Sequence, residues 1–125
     1  MRADDRVLLH HLLEQALELS LAAAYRESAD AYAVAADLAE EIGEPEMARA
    51  VRTSARGNLV LAWARKRWPT EDVRREDVEL FVAAPYDQEG TVFLVRRYLQ
   101  SRPLYSHEMI VSVGPKGRVR PKKYQ

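Results

Sequence analysis

Residues 27–67 read ESADAYAVAADLAEEIGEPEMARAVRTSARGNLVLAWARKR, and this stretch decides the fold class. Set at about 100° per residue, Tyr32, Ala35, Ala36, Ala39 and Ile42 fall on one face of a helix. Glu27, Asp30, Asp37, Glu40, Glu41 and Glu44 fall on the opposite face. The apolar face is mostly alanine, so a neighbouring helix can approach closely. Ser28 or Asp30 is placed to cap the helix start, where a short side-chain oxygen accepts from an orphan backbone N–H. Gly43 suits the left-handed position just past a helix end, and Pro45 suits the first turn of the next helix. From Glu46 the helical pattern resumes, with Met47, Ala50, Val51, Ser54, Ala55, Leu59 and Ala62 on a common side. Arg49, Arg52, Arg56 and Arg67 line another side with Trp63 between them, and no acid occurs from Arg49 to Trp68. Gly57 is about 1 kcal/mol worse than alanine in a helix interior, which makes Gly57-Asn58 a point where one helix ends and another is capped.

Upstream, Asp4 and Asp5 suit the start of a helix through capping and the helix dipole. Leu9, Leu12, Leu13, Ala16, Leu17, Leu21 and Ala24 form its apolar stripe, widened by Leu8 and Leu19 around a polar strip of His11, Glu14 and Glu18. A helix apolar on so many sides belongs at the centre of a fold or in an oligomer interface. The only break signal before the acidic helix is Arg26-Glu27-Ser28, so the sequence leaves open whether residues 5–42 form one bent helix or two.

Leu13 to Pro45 resembles one tetratricopeptide-type helical hairpin. Ala29, Ala33 and Ala36 stand near the small positions of that motif, and Leu38 to Pro45 is similar to the helix end and turn of its longer variants. The resemblance covers about a quarter of the chain, and no second repeat follows, although such repeats bury a core only by stacking. Ser20 stands near the place of the aromatic of the first helix. The resemblance implies a helical packing style and a tendency to bind protein.

Downstream, Trp68-Pro69-Thr70 ends the helical half, and Glu71 to Glu76 has room for one helical turn capped by Thr70. Val78, Leu80 and Val82 then alternate, Pro85 to Gly90 reads as a loop, and Thr91 to Leu99 is rich in β-branched and aromatic residues with both faces largely apolar. Ser101-Arg102-Pro103 marks a turn. His107, Met109, Val111 and Val113 alternate against Glu108, Ile110 and Ser112, and Gly114-Pro115-Lys116-Gly117 is a tight-turn signal before Arg118-Val119-Arg120. The expected fold is therefore α+β: an N-terminal antiparallel bundle of three helices packed on a C-terminal antiparallel meander of three to four strands. One domain over 1–125 is expected, with a helical half at 1–68, a sheet half at 77–121 and a basic tail at 122–125.

A 47% hydrophobic content with 30% charged residues marks a globular chain. With no cysteine, disulfides, thiolate nucleophiles and cysteine metal sites are excluded. No apolar run approaches the roughly 20 residues that span a bilayer, and Asp4, Asp5 and Arg6 ahead of the first apolar stretch argue against a secretory signal. The expectation is a cytoplasmic protein with no membrane partner. Arginine outnumbers lysine 15 to 4, which suggests a GC-rich coding sequence and a bacterial or phage source.

The zero net charge conceals two poles. Residues 1–48 hold 3 basic and 11 acidic side chains, and residues 49–125 hold 16 basic and 8 acidic. Such a chain can steer a partner by either pole, or pair its poles head to tail in a homo-oligomer. The densest cluster is C-terminal: Arg96, Arg97, Arg102, Lys116, Arg118, Arg120, Lys122 and Lys123 face the single acid Glu108. Tyr98, Tyr105 and Tyr124 are interleaved with them. Basic groups neutralise phosphates and tyrosine rings offer stacking surfaces for unpaired bases, although strand-edge charges also serve simply to block edge-to-edge pairing.

Catalytic motifs are sparse. His10, His11, Glu14 and Glu18 offer helical spacing for two or three metal ligands, fewer than an organised site needs, so no metal and no cofactor is assigned. Ser106-His107-Glu108 has triad residue types, but adjacent strand residues point to opposite faces. The sequence also lacks a phosphate-binding glycine loop and a nucleophile elbow. The leading expectation is a non-catalytic binding or regulatory protein that contacts a macromolecular partner, protein or nucleoprotein, such as a transcription complex. Its basic surface would comprise Arg96, Arg97, Tyr98, Arg102, Lys116, Arg118, Arg120, Lys122 and Lys123. Arg49, Arg52, Arg56 and Arg67 form a second basic stripe, and Glu27, Asp30, Asp37 and Glu41 an acidic surface. One alternative is a direct single-stranded nucleic-acid binder. Another, by architectural analogy, is a small RelE-like ribonuclease, built as the helix-plus-sheet bacterial toxins are, with Arg102, Tyr105 and His107 as its working groups.

Overall fold

The computed structural model describes residues 3–71, 73–82, 91–97, 107–114 and 116–121. Three helices, α1 (Ala3–Leu21), α2 (Tyr25–Glu41) and α3 (Pro45–Arg67), precede four strands. The strands are β1 (Val78–Val82), β2 (Thr91–Arg97), β3 (His107–Val113) and β4 (Val119–Pro121). They form one antiparallel sheet in the order β1-β2-β3-β4, so the α+β class and the meander expected from the sequence are the architecture found. The chain divides into two compact units, residues 1–58 and 59–125, and the boundary falls inside α3.

Two corners of the same geometry separate the helices. At the first, the Ala24 N–H donates to the Leu19 carbonyl at 2.8 Å and the Ala23 N–H to the Ser20 carbonyl at 3.0 Å. At the second, the Glu44 N–H donates to the Ala39 carbonyl at 2.8 Å and the Gly43 N–H to the Glu40 carbonyl at 3.1 Å. Both are Schellman turns, which satisfy the last carbonyls of a helix through one left-handed residue. Gly43 supplies that residue at φ 81°, as its sequence position suggested, and Pro45 opens α3. At the first corner the left-handed residue is Ala23, at φ 62°, so residues 5–42 are two helices whose break lies ahead of Arg26.

Inside the first unit, Leu9 of α1 packs with Ala35, Ala36 and Ala39 of α2 and Ala48 and Val51 of α3. The alanine face of α2 is thus the shared interior, and its small side chains let the helices close on one another. Several expected faces turn out rotated. The inner face of α1 is centred on Leu9, Ala16 and Ser20, whereas Leu17 is 41% exposed and Leu21 67%. In α3 the expected single stripe fails: Met47, Ala50 and Ser54 are exposed, and Ala48, Val51 and Ala55 are buried. From Val60 onward α3 buries Val60, Leu61 and Ala64, which lie on another side of the helix.

Two polar residues also depart from expectation. Ser28 does not cap α2, which begins at Tyr25; it is fully buried, and its hydroxyl donates to the Ala16 carbonyl at 2.6 Å. Asn58 neither ends a helix nor starts one. Its amide donates to the Ser54 carbonyl at 2.9 Å, and its side-chain oxygen accepts from the buried Ser20 hydroxyl at 2.7 Å. Ser20, near the place of the tetratricopeptide aromatic, therefore ties α1 to α3. Of that motif's small positions, Ala29 and Ala36 are buried and Ala33 is exposed.

The second unit contains the sheet. Phe93 pairs with Val111, Val95 with Met109 and Thr91 with Val113, which sets Thr91, Phe93, Val95, Val111 and Val113 on one buried face. β2 is flanked by β1 and β3, as expected of a strand apolar on both faces. The alternation of Val78, Leu80 and Val82 does not carry through, because a bulge at Phe81 sets Val82 opposite Val92, and Leu80 is half-exposed. The turn before β1 is a 3₁₀ turn at Arg75–Asp77, closed by the Asp77 carboxylate accepting from the Arg74 N–H at 2.7 Å, with no part for Thr70. The expected loop at 85–90, the turn at 101–103 and the tail at 122–125 lie outside the described residues.

Candidate binding surface

The charged residues singled out in the sequence fall into two groups: those held by partners within the chain and those left facing solvent. Arg97, last in β2, belongs to the first group. Its Nη2 and Nε donate to the two carboxylate oxygens of Glu71 at 2.7 and 2.9 Å, and its guanidinium carbon lies 3.9 Å from the Trp68 ring centroid. The Trp68 ring meets Trp63 edge-on at 5.3 Å, and Arg67 stands 5.6 Å from both ring centroids. This stack holds the end of β2 against the segment that follows α3.

Arg96 is on the other face of β2, between carboxylates of both neighbouring strands. Its Nη2 lies 2.7 Å from Glu79 on β1 and its Nε 3.6 Å from Glu108, which sits directly opposite it on β3. In the first unit, Arg52 bridges Asp37 and Glu40 of α2, and Arg6 reaches Glu44 at 3.0 Å. The bond to Glu40 raises the Arg52 pKa above its ordinary value, burial opposes it, and the bond to Asp37 adds a smaller upward effect. Arg56 has a partner of its own and Arg49 is exposed. The arginine stripe of α3 is therefore not a uniform surface, and Asp37 is drawn out of the acidic one. Glu27, Asp30 and Glu41 remain exposed.

The second group is concentrated on the β3–β4 hairpin. Lys116, Arg118 and Arg120 are all exposed, and none has a carboxylate partner among the described residues. Here the local geometry is well defined. The Gly114 N–H donates to the Arg118 carbonyl at 3.0 Å and the Gly117 N–H to the Gly114 carbonyl at 2.9 Å, with Gly117 at φ 81°. Arg120 pairs with Ser112 in the ladder, and Arg118 stands just ahead of β4, its carbonyl accepting the Gly114 N–H. Tyr98, Arg102, Lys122 and Lys123 lie outside the described residues, as does Tyr105.

His10 forms an i,i+4 pair with Glu14, at 2.9 Å, on the exposed side of α1. Among the described residues no group of three His, Asp or Glu side chains could hold a metal ion. His107 is exposed and pairs across the ladder with Arg97. Among the described residues no helix is long and apolar enough to cross a membrane. Sequence reasoning missed Glu71 and Trp68, the groups that neutralise and cover Arg97. The one signal for them in the sequence is that Glu71 is the first acid after the acid-free run, three residues beyond Trp68. Comparison of the chain with protein-family models, with curated proteins and with solved structures gives no match in any of the three.

Proposed function

We propose that this is a non-catalytic binding or regulatory protein that contacts an anionic surface of a macromolecular assembly through its β3–β4 hairpin. One observation supports the reading above the rest. Lys116, Arg118 and Arg120 face solvent with no carboxylate partner among the described residues, while Arg52, Arg96 and Arg97 are each held by one or two. A charge already bound within the chain has little attraction left for a partner; an unopposed one keeps it, and steers encounter from a distance. Gly117, at φ 81° and bonded to the Gly114 carbonyl, constrains the backbone that carries these cations, which lowers the backbone ordering needed on binding.

The test is capture of partners from cell lysate by the wild-type chain and by K116E/R118E/R120E, with E27K/D30K/E41K as the control. The basic reversal should lose the captured assembly and the acidic reversal should retain it. Loss with the acidic reversal alone would transfer the working surface to α2.

A further inference from the structure

We infer that Lys116 and Arg118 of the hairpin turn and Lys66 of α3 form one cationic surface that takes the phosphodiester backbone of a nucleic acid. This rests on the hairpin reading above and adds Lys66 and a partner class.

The observation that joins the two segments is at the hairpin turn. A Cβ built on Gly117 would come 3.1 Å from the Leu59 Cδ1, so the backbone of the turn lies directly on the Leu59 side chain. The basic hairpin is thereby braced on the acid-free stretch of α3. Lys66 follows Leu59 by seven residues, which keeps it on the same side of the helix about 10 Å further along. It is exposed and has no carboxylate partner among the described residues. Lys66, Lys116 and Arg118 thus belong to one compact unit, with Leu59 as the point where the turn touches α3.

The surroundings of these cations decide the class of partner. Protein interfaces rest on apolar or aromatic anchors at their centre, with charge at the rim. The exposed large aliphatic side chains among the described residues are Val7, Leu8, Leu17, Leu21, Val34, Met47 and Leu80. They lie on α1, α2, the first turn of α3 and β1, none on the hairpin or the last turns of α3. The half-buried Trp63 and Trp68 at the end of α3 are engaged by Arg67 and Arg97. Cations with no free apolar centre beside them among the described residues match a polyelectrolyte, whose affinity comes from phosphate neutralisation and counterion release.

The experiment is fluorescence anisotropy of a labelled oligouridylate titrated with the full chain over a series of salt concentrations, with poly-glutamate as the carboxylate polyanion. The wild type should bind oligouridylate more tightly than poly-glutamate. Lys66→Gln should weaken oligouridylate binding about fourfold at about 0.15 M salt and lower the salt slope by about 0.7, the effect of one phosphate contact to a single strand. Its melting temperature should match the wild type, which separates lost binding from lost folding. Equal binding of poly-glutamate would overturn the inference in favour of an acidic protein partner, and an unchanged slope for Lys66→Gln would remove α3 from the surface. If oligouridylate fails to bind while hairpin reversal still abolishes capture from lysate, this inference falls and the broader reading stands.

Discussion

Arg97 lies over Trp68, its guanidinium carbon 3.9 Å from the ring centroid, and in that position it reaches Glu71 with Nε and Nη2. The Arg97 and Glu71 side chains are only 20% and 14% exposed, so removal of either partner strands a charge largely cut off from water. Breaking a fully buried pair costs about 3–5 kcal/mol, and the cation–π contact adds about 0.5–2 kcal/mol. Partial exposure lowers the first figure, so Arg97→Ala should cost about 2–4 kcal/mol in urea denaturation. Arg96→Ala, whose partners Glu79 and Glu108 are more than half exposed, should cost less than about 1 kcal/mol. Equal losses at the two positions would contradict the assignment of Arg97 as the interior clamp.

The two Schellman turns predict opposite responses to one exchange. A left-handed conformation costs an L-residue about 1–2 kcal/mol, part of which glycine gives back through its freer unfolded chain. Ala23→Gly should therefore raise stability by about 0.5–1 kcal/mol. Gly43→Ala should lower it by a similar amount, since a Cβ at Gly43 meets no atom within 4 Å and the cost is conformational alone. Thermal melts of the two variants should move in opposite directions. A destabilised Ala23→Gly would show that the strain at φ 62° is not there.

The rotated face of α1 is open to the same kind of test. Leu9 is 5% exposed and Leu17 is 41% exposed. Leu9→Ala should cost about 2–5 kcal/mol, as buried leucine truncations do, and Leu17→Ala less than about 1 kcal/mol. Comparable losses at both positions would restore the face expected from the sequence, which holds both leucines, and denaturation midpoints decide between them.

Where sequence reading succeeded, the cause was local. Gly43 and Pro45 carry conformational preferences of their own, so the second corner was visible in the letters. At the first corner an alanine takes the left-handed position and announces nothing. The inner face of α1 was hidden because Leu8, Leu17 and Leu21 make the helix apolar on several sides, and only the neighbouring helices choose among them. The bulge at Phe81 interrupts an alternation that looks regular in the sequence. The sign of the C-terminal charge was legible, but its availability was not, because Glu71 is 26 positions from the Arg97 it neutralises. In the sequence, Lys116, Arg118 and Arg120, which have no carboxylate partner among the described residues, look no different from the arginines that the fold engages.

The central claim, that unopposed hairpin charge and not total basic charge makes the contact, is tested most directly by the salt dependence of polyanion binding in two matched variants. Lys116, Arg118 and Arg120 all changed to glutamine should lose binding and most of the salt slope with an unchanged melting temperature, since exposed charges contribute little to stability. Arg96→Gln should bind like the wild type at every salt concentration, because Glu79 and Glu108 already hold that side chain. A triple variant that binds normally, or an Arg96→Gln variant that loses as much as the triple, would contradict the account.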